Sequence, residues 1–346
     1  MLWRAMFLVL LVLLGCTPQV KEEAASDPQL VVGVVLDRGG EEDKSFNEFI
    51  LLGAKKTAKN LGLRLHFETA ESPSVSSESI ESLIALGANI VFTAGTQFSH
   101  ATMKAALKHP DVHFVSIDHQ YIPGQGCPED VADCYSEAGG LINVSSLIFA
   151  EDESAYLGGV LAACISESNT IAVIAGPEIP VIQRIRKGFM NGAKRIKPNI
   201  RVLYQSIPDF GDPASGAIVA HKMITDGADV LFCVAGRSGL GGLETAAKSN
   251  VRTIGIDVDQ YITVPSASSV LVSSVVKSTE QAVSETIAIF AKGELKAGVR
   301  LYNLANGGVG LAPFHDFQEQ ISSECVQHLK DVRSAIVADP SLTGAK

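Results

Sequence analysis

The chain has 346 residues, a formal net charge of −10 and no basic run longer than a few residues. An acidic chain whose basic residues are scattered is a poor partner for nucleic acid or for an anionic membrane surface, so both are excluded. Without the leader described next, about 330 residues remain, which suits two domains of ordinary size.

The chain begins with a short export signal. Arg4 precedes an apolar stretch, residues 7–14, which is too short to cross a bilayer as a stop-transfer helix. Residues 13–16 read Leu-Leu-Gly-Cys, the bacterial lipobox pattern. We expect residues 1–16 to be a lipoprotein signal peptide with the lipid on Cys16, and residues 17–29 to be a polar tether to the membrane of the cell envelope. An ordinary signal peptide with a chance cysteine is the alternative.

Apolar strands alternate with amphipathic helices from residue 30 onwards. Stop signals such as Gly62 and Pro110 end the first and third helices. The predicted order is strand 30–36, helix 45–61, strand 63–67, helix 76–86, strand 90–94, helix 98–108 and strand 112–117. This alternation predicts right-handed βαβ units around a parallel sheet.

The second half repeats the first at an offset of about 139 residues. Segment 87–95 returns at 227–236, and segment 114–118 returns at 253–257. The predicted elements keep their order: strand 171–175, helix 181–194, strand 201–204, helix 212–225, strand 230–234, helix 240–248 and strand 253–256. Two copies with one order predict two similar lobes that face each other across a cleft.

Three segments are predicted to cross between these lobes. Extended runs at 141–149 and 270–276 each follow a completed copy, and the helices 154–165 and 279–291 then belong to the opposite lobe. A third crossing near 301–304 places residues 317–337 on lobe two. We therefore predict an α/β fold of two doubly wound parallel-sheet lobes joined by a three-segment hinge, with lobe one at 30–145 and 277–300 and lobe two at 146–276 and 301–340. Such hinges serve closure of a cleft on a ligand.

Several aspartates stand at strand ends, where open parallel sheets bind ligands. A carboxylate there either caps the next turn or binds vicinal hydroxyls, such as those of a ribose. Asp118 and Asp257 occupy the same place in the two copies. The repeat aims them into one cleft from opposite sides, which favours ligand contact.

Two facing carboxylates are also an arrangement used in general acid–base catalysis. No nucleophile with a base, no activated histidine and no metal-ligand spacing accompanies them. We therefore predict no catalytic residue, no metal and no cofactor. The segment 236–242 lies between a strand and a helix but lacks the ending of a phosphate-binding loop, so we expect a tight turn that lets a ligand approach the backbone.

The segment from Asp37 to Asn47 is the most specific signal in the chain. A loop with two glycines leaves the first strand, and Ser45 opens the next helix, which puts Phe46 at the mouth of the cleft. An aromatic ring there can stack on a planar ring of a ligand, worth about 1–3 kcal/mol per base. The alternative is a hydrophobic staple that packs Phe46 on its own helix.

The cysteines divide into two groups. Cys127 and Cys134 flank a turn-rich loop and are a plausible local disulfide in an exported protein. Two free thiols are the alternative, because Cα separation cannot be read from sequence. Cys164 and Cys233 lie in an apolar helix and an apolar strand, and we interpret them as small buried hydrophobic residues.

Short motifs, taken in order, point to a known family. The segment Asp37-x-Gly39-Gly40-x-x-Asp43-Lys44-Ser45-Phe46-Asn47 resembles the opening signature of the basic membrane protein family, the purine nucleoside receptor A-like lipoproteins. Further matches lie at 110–114, 153–159, 188–192, 255–260, 273–277 and 307–311. The resemblance therefore covers essentially the whole mature chain.

This resemblance implies a type I periplasmic-binding-protein fold. It also implies a monomeric receptor that delivers guanosine, inosine or adenosine to the permease and ATPase subunits of an ABC importer. The base would stack on Phe46, and the ribose would be held by Asp118, Asp257 and Lys277. Phe232 is the nearest candidate for a second stacking ring. The ligand-binding residues so implied are Asp37, Ser45, Phe46, Asn47, Asp118, Phe232, Gly236, Asp257 and Lys277.

The sequence departs from the family pattern at three places that bear on the choice of ligand. Gly236-Arg237-Ser238-Gly239 replaces Gly-Gly-Thr-Gly, Ile185 stands where an aromatic residue is common, and the loop 127–134 is an insertion. Three alternatives stay open. They are a ribose-like sugar as the ligand, a nucleoside hydrolase that uses the paired carboxylates, and a surface adhesin or signalling receptor that kept the fold.

Overall fold

The computed structural model describes residues 30–345. The predicted signal peptide, the tether and the lipid attachment site Cys16 lie outside the described residues. Within the part described, no helix has both the length and the apolar character needed to cross a membrane.

Strands and helices alternate along the chain, as the hydrophobic pattern predicts. The strands are β1 (Val31–Leu36), β2 (Arg64–Thr69), β3 (Ile90–Ala94), β4 (His113–Ile117), β5 (Ile122–Pro123), β6 (Gly126–Cys127), β7 (Val144–Phe149), β8 (Thr170–Ala175), β9 (Arg201–Ser206), β10 (Val230–Val234), β11 (Arg252–Asp257), β12 (Leu271–Lys277), β13 (Gly298–Tyr302) and β14 (Val309–Leu311). The α-helices are α1 (Phe46–Leu61), α2 (Ser76–Ala85), α3 (Ser99–Lys108), α4 (Glu151–Ile165), α5 (Pro180–Ile196), α6 (Pro213–Thr225), α7 (Gly236–Ser249), α8 (Gln260–Thr263), α9 (Thr279–Ala291) and α10 (Ser323–Ala338).

Two six-stranded sheets form the centres of the two lobes. The first has the order β13-β7-β4-β3-β1-β2 and the second the order β14-β12-β11-β10-β8-β9. Neighbouring strands are parallel in both, except that β14 runs antiparallel to β12. β1, β3, β8 and β10 are buried along their whole length, as apolar runs covered by helices on both faces must be. The predicted α/β fold with two parallel-sheet lobes is confirmed.

Three crossings exchange helices between the lobes. α4 packs on α5 in the second lobe, α9 packs on α1 in the first, and α10 packs on α4. Gly159 and Gly192 lie where α4 meets α5, and a Cβ atom at either would collide with a backbone carbonyl of the other helix. These glycines therefore set the close approach of the two helices.

The lobe boundaries predicted after residues 145, 276 and 300 fall inside strands. β7 stays in the first sheet through Phe149 and β13 through Tyr302, while β12 stays in the second sheet through Lys277. A strand completes its hydrogen-bond ladder before the chain leaves the sheet, so the crossings follow the strand ends.

Two local features complete the fold. Cys127 and Cys134 form the predicted disulfide, with their Cα atoms 5.5 Å apart. The segment 236–242, predicted as a tight turn, instead forms the first two turns of α7. A helix can begin at Gly236 because its φ of 52° lets the backbone turn sharply out of β10.

Candidate ligand site between the lobes

A cavity lies between the carboxyl ends of the two sheets. Its empty space, including the mouth, is about 580 Å³. One part of the lining is polar and another is apolar, and both lobes contribute to it. The lining residues are Asp37, Gly39, Asp43, Phe46, Asn47, Gly95, Thr96, Gln97, Asp118, Ile179, Val181, Ile182, Ile185, Phe210, Val234, Gly236, Ile256, Asp257 and Lys277.

The two repeated aspartates both line this cavity, one from each lobe. Asp118 follows β4 and Asp257 ends β11, and both have a φ of 64°. This left-handed conformation is uncommon for residues other than glycine, and strain of this kind concentrates at functional sites. The Oδ1 atom of Asp118 is buried without a hydrogen-bond partner among the described residues. The carboxylate therefore has an acceptor free for a ligand.

Lys277 is the cation between these carboxylates. Its Nζ donates to Asp118 Oδ2 at 2.7 Å and lies 3.8 Å from Asp257 Oδ1. Only 6% of its side chain is exposed. Burial alone lowers the pKa of Lys277, but the surrounding carboxylates, Asp118 first, outweigh burial and raise the pKa. Nζ also lies 4.2 Å from the centroid of the Phe46 ring, which ties the aromatic residue to the charged cluster.

A second charge pair, which the sequence reasoning missed, supports Lys277 from the second lobe. Glu151 Oε1 lies 3.9 Å from Lys277 Nζ, and Arg184 Nη2 donates to Glu151 Oε2 at 3.2 Å. Burial, together with the nearby charge of Asp118, raises the pKa of Glu151 to about 7. The acidic run 151–153 at the start of α4 was the available signal, because a buried helix start seldom carries three acidic residues without a partner.

The first loop is organised around Asp37. Its Oδ1 accepts from Asn47 Nδ2 at 2.6 Å and from the Gly39 N–H at 2.8 Å, and its Oδ2 accepts from Gln97 Nε2 at 3.2 Å. Burial raises the pKa of Asp37. Because Asp37 and Asn47 hold each other, they fix the wall of the cavity, and Gln97 is a polar neighbour that sequence reasoning missed.

Asp43 stabilises the start of α1. Its carboxylate accepts from the backbone N–H groups of Ser45, Asn47 and Glu48 at 2.8–3.0 Å. This satisfies donors that a helix N-terminus leaves unpaired. Burial raises the pKa of Asp43 to about 7. The capping carboxylate thereby sets the position of Phe46, the first residue of α1.

Direct contacts close the lobes on each other at the cavity. Ser45 Oγ donates to Asp257 Oδ2 at 2.7 Å, and Arg38 Nη1 lies 2.8 Å from Asp209 Oδ2. Thr263 Oγ1 donates to the Lys44 carbonyl at 3.1 Å. Ser45 is therefore a contact between the lobes as well as a neighbour of the cavity.

Phe232, the predicted second stacking ring, is not at the cavity. Its ring is fully buried in the core and stacks on Phe189 with centroids 4.5 Å apart. Only the carboxyl end of β10 reaches the cavity, and Phe232 lies at its middle. The aromatic residue of the second lobe that lines the cavity is Phe210, from the loop before α6, next to Gly236.

The other residues expected to bind ligand lie at the cavity or next to it. Asp37, Phe46, Asn47, Asp118, Gly236, Asp257 and Lys277 all line the cavity, and Ser45 contacts it through Asp257. Among residues 30–345, no group of three or more His, Cys, Asp or Glu side chains is arranged to hold a metal ion.

Comparisons with known proteins give the family. A family model described as "ABC transporter substrate-binding protein PnrA-like" matches residues 30–341. Basic membrane protein A of Borreliella burgdorferi is 30% identical over 314 residues, which cover 88% of this chain and 85% of that protein. The "ABC transporter nucleoside-binding protein BmpA" of Lactococcus lactis subsp. cremoris is 31% identical over 302 residues, covering 82% and 81%.

A solved structure supports the fold. The solute-binding protein of an ABC transporter system from Aeropyrum pernix K1 superposes with a TM-score of 0.79 at 21% identity, covering 89% of this chain and 91% of that one. The periplasmic-binding-protein type of the two lobes is therefore confirmed. Family members are substrate-binding proteins and not enzymes. The chain belongs to the family of PnrA-like ABC transporter substrate-binding proteins.

Proposed function

We propose that this ABC transporter substrate-binding protein binds a purine nucleoside in the cavity between its lobes and delivers it to the permease and ATPase subunits of an importer. The observation that supports this ligand best is the convergence of Asp118 and Asp257, one from each sheet, on Lys277. A ribose presents two adjacent hydroxyls, each a donor and an acceptor. The carboxylates would accept from those hydroxyls and Lys277 would donate to them.

The rest of the lining favours a nucleoside over a free sugar. Ile182 and Ile185 of α5, Phe210 of the second lobe and Phe46 of the first form walls with no polar side-chain atom. A ribose alone would leave these walls uncovered, whereas a purine has two faces for them to contact. Phe46 and Phe210 are our candidates for the rings that stack on the base.

Polar groups are also available for the edge of the base. Thr96 and Gln97 line the cavity, and Gln97 is held by its hydrogen bond to Asp37. A fixed amide presents a donor and an acceptor, which suits the nitrogen and oxygen atoms of a purine edge. The nucleoside-binding relative from Lactococcus lactis supports the same ligand class.

Calorimetric titration and thermal unfolding test this function together. Inosine, guanosine and adenosine are compared with ribose and with a pyrimidine nucleoside on the same protein. We expect a purine nucleoside at a hundred times its Kd to raise the melting temperature by on the order of 5–10 °C, because binding to the folded form alone stabilises it. Ribose that binds as tightly as every nucleoside, or purine nucleosides that leave the transition unmoved at millimolar concentration, would contradict the proposal.

We further propose that the receptor is exported and held at the membrane by lipid on Cys16. Detergent-phase partitioning of the full chain, with Cys16→Ala as the variant, tests this attachment. The native chain should enter the detergent phase, and the variant should remain in the aqueous phase. Equal partitioning of the native chain and the variant would contradict the lipid attachment and would not bear on the proposed ligand.

A further inference from the structure

The loop that the disulfide between Cys127 and Cys134 closes has no part in the function proposed above. We call residues 121–141 the disulfide loop. It begins three residues after Asp118 and contains β5, β6 and the insertion 127–134. Cys134 is buried in the core of the first lobe, and Cys127 packs against the same core. The disulfide loop is therefore attached to the first lobe close to one of the two repeated aspartates.

The disulfide loop packs around its first residue, Tyr121. The side chain of Tyr121 is buried, and its backbone N–H donates to Tyr135 Oη at 3.0 Å. Tyr135 Oη in turn shares a hydrogen bond of 2.7 Å with Ser146 Oγ on β7. A Cβ atom added at Gly126 would lie 2.6 Å from the Tyr121 ring, so β6 lies directly against this ring. The loop therefore limits the positions open to the Tyr121 side chain.

His119 connects Tyr121 to the ligand cavity. The rings of His119 and Tyr121 meet edge to face, with centroids 4.7 Å apart. His119 Nδ1 forms a hydrogen bond of 3.1 Å with Thr96 Oγ1. Tyr121 Oη also donates to the Ser99 carbonyl at 2.8 Å, at the start of α3. The side chains of His119 and Tyr121 therefore join the disulfide loop to the segment 96–99.

Thr96 is the end of this connection that lines the cavity. Burial lowers the pKa of His119, so its imidazole is neutral at neutral pH, with one nitrogen a donor and the other an acceptor. If Thr96 donates to Nδ1, its hydroxyl presents only acceptor lone pairs to a ligand. If it accepts from Nδ1–H, it presents its hydrogen. In either tautomer the bond to His119 fixes the hydroxyl, which lowers the cost of ordering it when a ligand binds.

We propose that His119 is a positioning residue, which fixes the Thr96 hydroxyl for the edge of the bound base and is itself held in place by the disulfide loop. This rests on the nucleoside function proposed above, in which Thr96 meets the base edge. His119 is not among the residues that line the cavity, so it acts through Thr96. Opening the disulfide between Cys127 and Cys134 should therefore weaken binding although every residue of the cavity is unchanged.

The positioning of Thr96 can be measured without a ligand. Three-bond couplings from the Thr96 methyl carbon to its own backbone nitrogen and carbonyl carbon report its χ1 rotamer, and Thr96→Ser identifies the resonance. We expect one rotamer in wild type and averaging in His119→Phe, because phenylalanine keeps a ring against Tyr121 but cannot bond the hydroxyl. His119→Asn, whose amide lies near the position of Nδ1, should restore the single rotamer. Equal couplings in wild type and His119→Phe would overturn the proposal.

Calorimetric titration with inosine tests the effect on binding. His119→Phe should weaken binding about 10-fold, the loss of one oriented hydrogen bond, and His119→Asn should recover most of the affinity. His221→Phe, at an exposed position of α6, is the matched control and should bind as wild type does. Equal affinity of wild type and His119→Phe would overturn the inference and leave the nucleoside function intact. Wild type that binds no purine nucleoside would contradict that function instead, and the Thr96 couplings would still test the positioning.

The Cys127→Ser/Cys134→Ser double variant tests the part played by the loop. It should weaken inosine binding about 5-fold, because His119 loses part of its support. The same two substitutions in the His119→Phe background should cause no further loss, since the loop acts through His119. Thermal unfolding of each variant checks that it is folded, so a lower affinity reports on the site. Native affinity in the double variant, or an equal loss in both backgrounds, would overturn the role of the disulfide loop.

Discussion

Asp118 and Asp257 share a backbone conformation but differ in their partners. Both are held at a φ of 64° at the end of equivalent strands, and both face one cavity. Asp118 accepts from the ammonium of Lys277 and keeps one oxygen unpartnered within the described chain. Asp257 accepts from the neutral hydroxyl of Ser45, with Lys277 farther away.

The difference shows what the repeat supplies and what it does not. Two copies of one βα pattern place two carboxylates symmetrically. Their chemistry comes from residues without a counterpart in the other copy, namely Ser45 and Phe46 at the start of α1 and Lys277 at the end of β12. Each of the following changes tests one part of this asymmetry.

We expect the largest effect on binding from substitution of the two aspartates, and we expect it to differ between them. Asp118→Asn should weaken purine nucleoside binding about 100-fold and Asp257→Asn about 10-fold, because the first leaves the buried Lys277 charge without its nearest partner. Asparagine tolerates the positive φ at both sites, so the backbone is retained. Calorimetric titration of both variants, with the exposed Asp130→Asn as control, measures the ratio. Equal losses of affinity in Asp118→Asn and Asp257→Asn would contradict this prediction.

A substitution of Phe46 distinguishes binding of the base from binding of the sugar. Phe46→Leu should weaken nucleoside binding about 10-fold and leave ribose binding unchanged, because leucine retains bulk but cannot stack. Phe232→Leu is the matched core variant. It should lower the free energy of unfolding by about 1 kcal/mol and leave the affinity of the properly folded protein unaltered. If Phe232→Leu instead reduces affinity as much as Phe46→Leu, our assignment of the cavity walls is wrong.

Glu151 links the stability of the second lobe to pH. Because its pKa rises to about 7 in the folded protein, folded Glu151 binds a proton more readily than unfolded Glu151. The stability that protonation confers is complete below about pH 4.5 and is lost as pH rises through 7. Glu151→Gln should therefore reduce the fall in melting temperature between pH 5 and 8. Each kcal/mol that protonation of Glu151 adds to the free energy of unfolding corresponds to roughly 2–4 °C. The exposed Glu137→Gln should not, and an unaltered slope in Glu151→Gln would contradict the prediction.

Ser45 gives the smallest expected change. Ser45→Ala removes one hydrogen bond to a carboxylate across the lobes and should weaken nucleoside binding about 5-fold. Ser45→Thr, which retains the hydroxyl, is the control and should bind more tightly than the alanine variant. Stopped-flow binding should show most of the loss in the dissociation rate, because the contact holds the closed form. An unchanged dissociation rate would show that Ser45 does not hold the lobes closed.

Most of the fold was predictable because its signals are local and repeated. Buried strands such as β3 and β10 are continuous apolar runs. The order of strands and helices is also the same in both copies, so each copy supports the assignment of the other. The start of α7 was predicted four residues late, since Gly236 and Gly239 look like a turn in isolation. Only the packing of this helix on its neighbours makes those glycines helical, and that packing is not visible in the local sequence.

The site was predictable where it depends on strand ends and less so elsewhere. Asp118 and Asp257 follow from the repeat. Phe210 could not be found this way, because a loop residue has no periodicity and its direction depends on the whole lobe. Phe232 has the residue type that stacking requires, but it lies at the middle of a central strand, where its side chain is buried in the core. Glu151 needed knowledge that α4 begins beside Lys277, which only the crossing of the chain creates.

A crystal structure of the protein with inosine tests the central claim most directly. We predict the ribose hydroxyls within hydrogen-bond distance of Asp118, Asp257 and Lys277, and the base between Phe46 and Phe210. A ribose bound away from the paired aspartates, or a base placed beside Lys277 with its sugar against the apolar wall, would contradict the account.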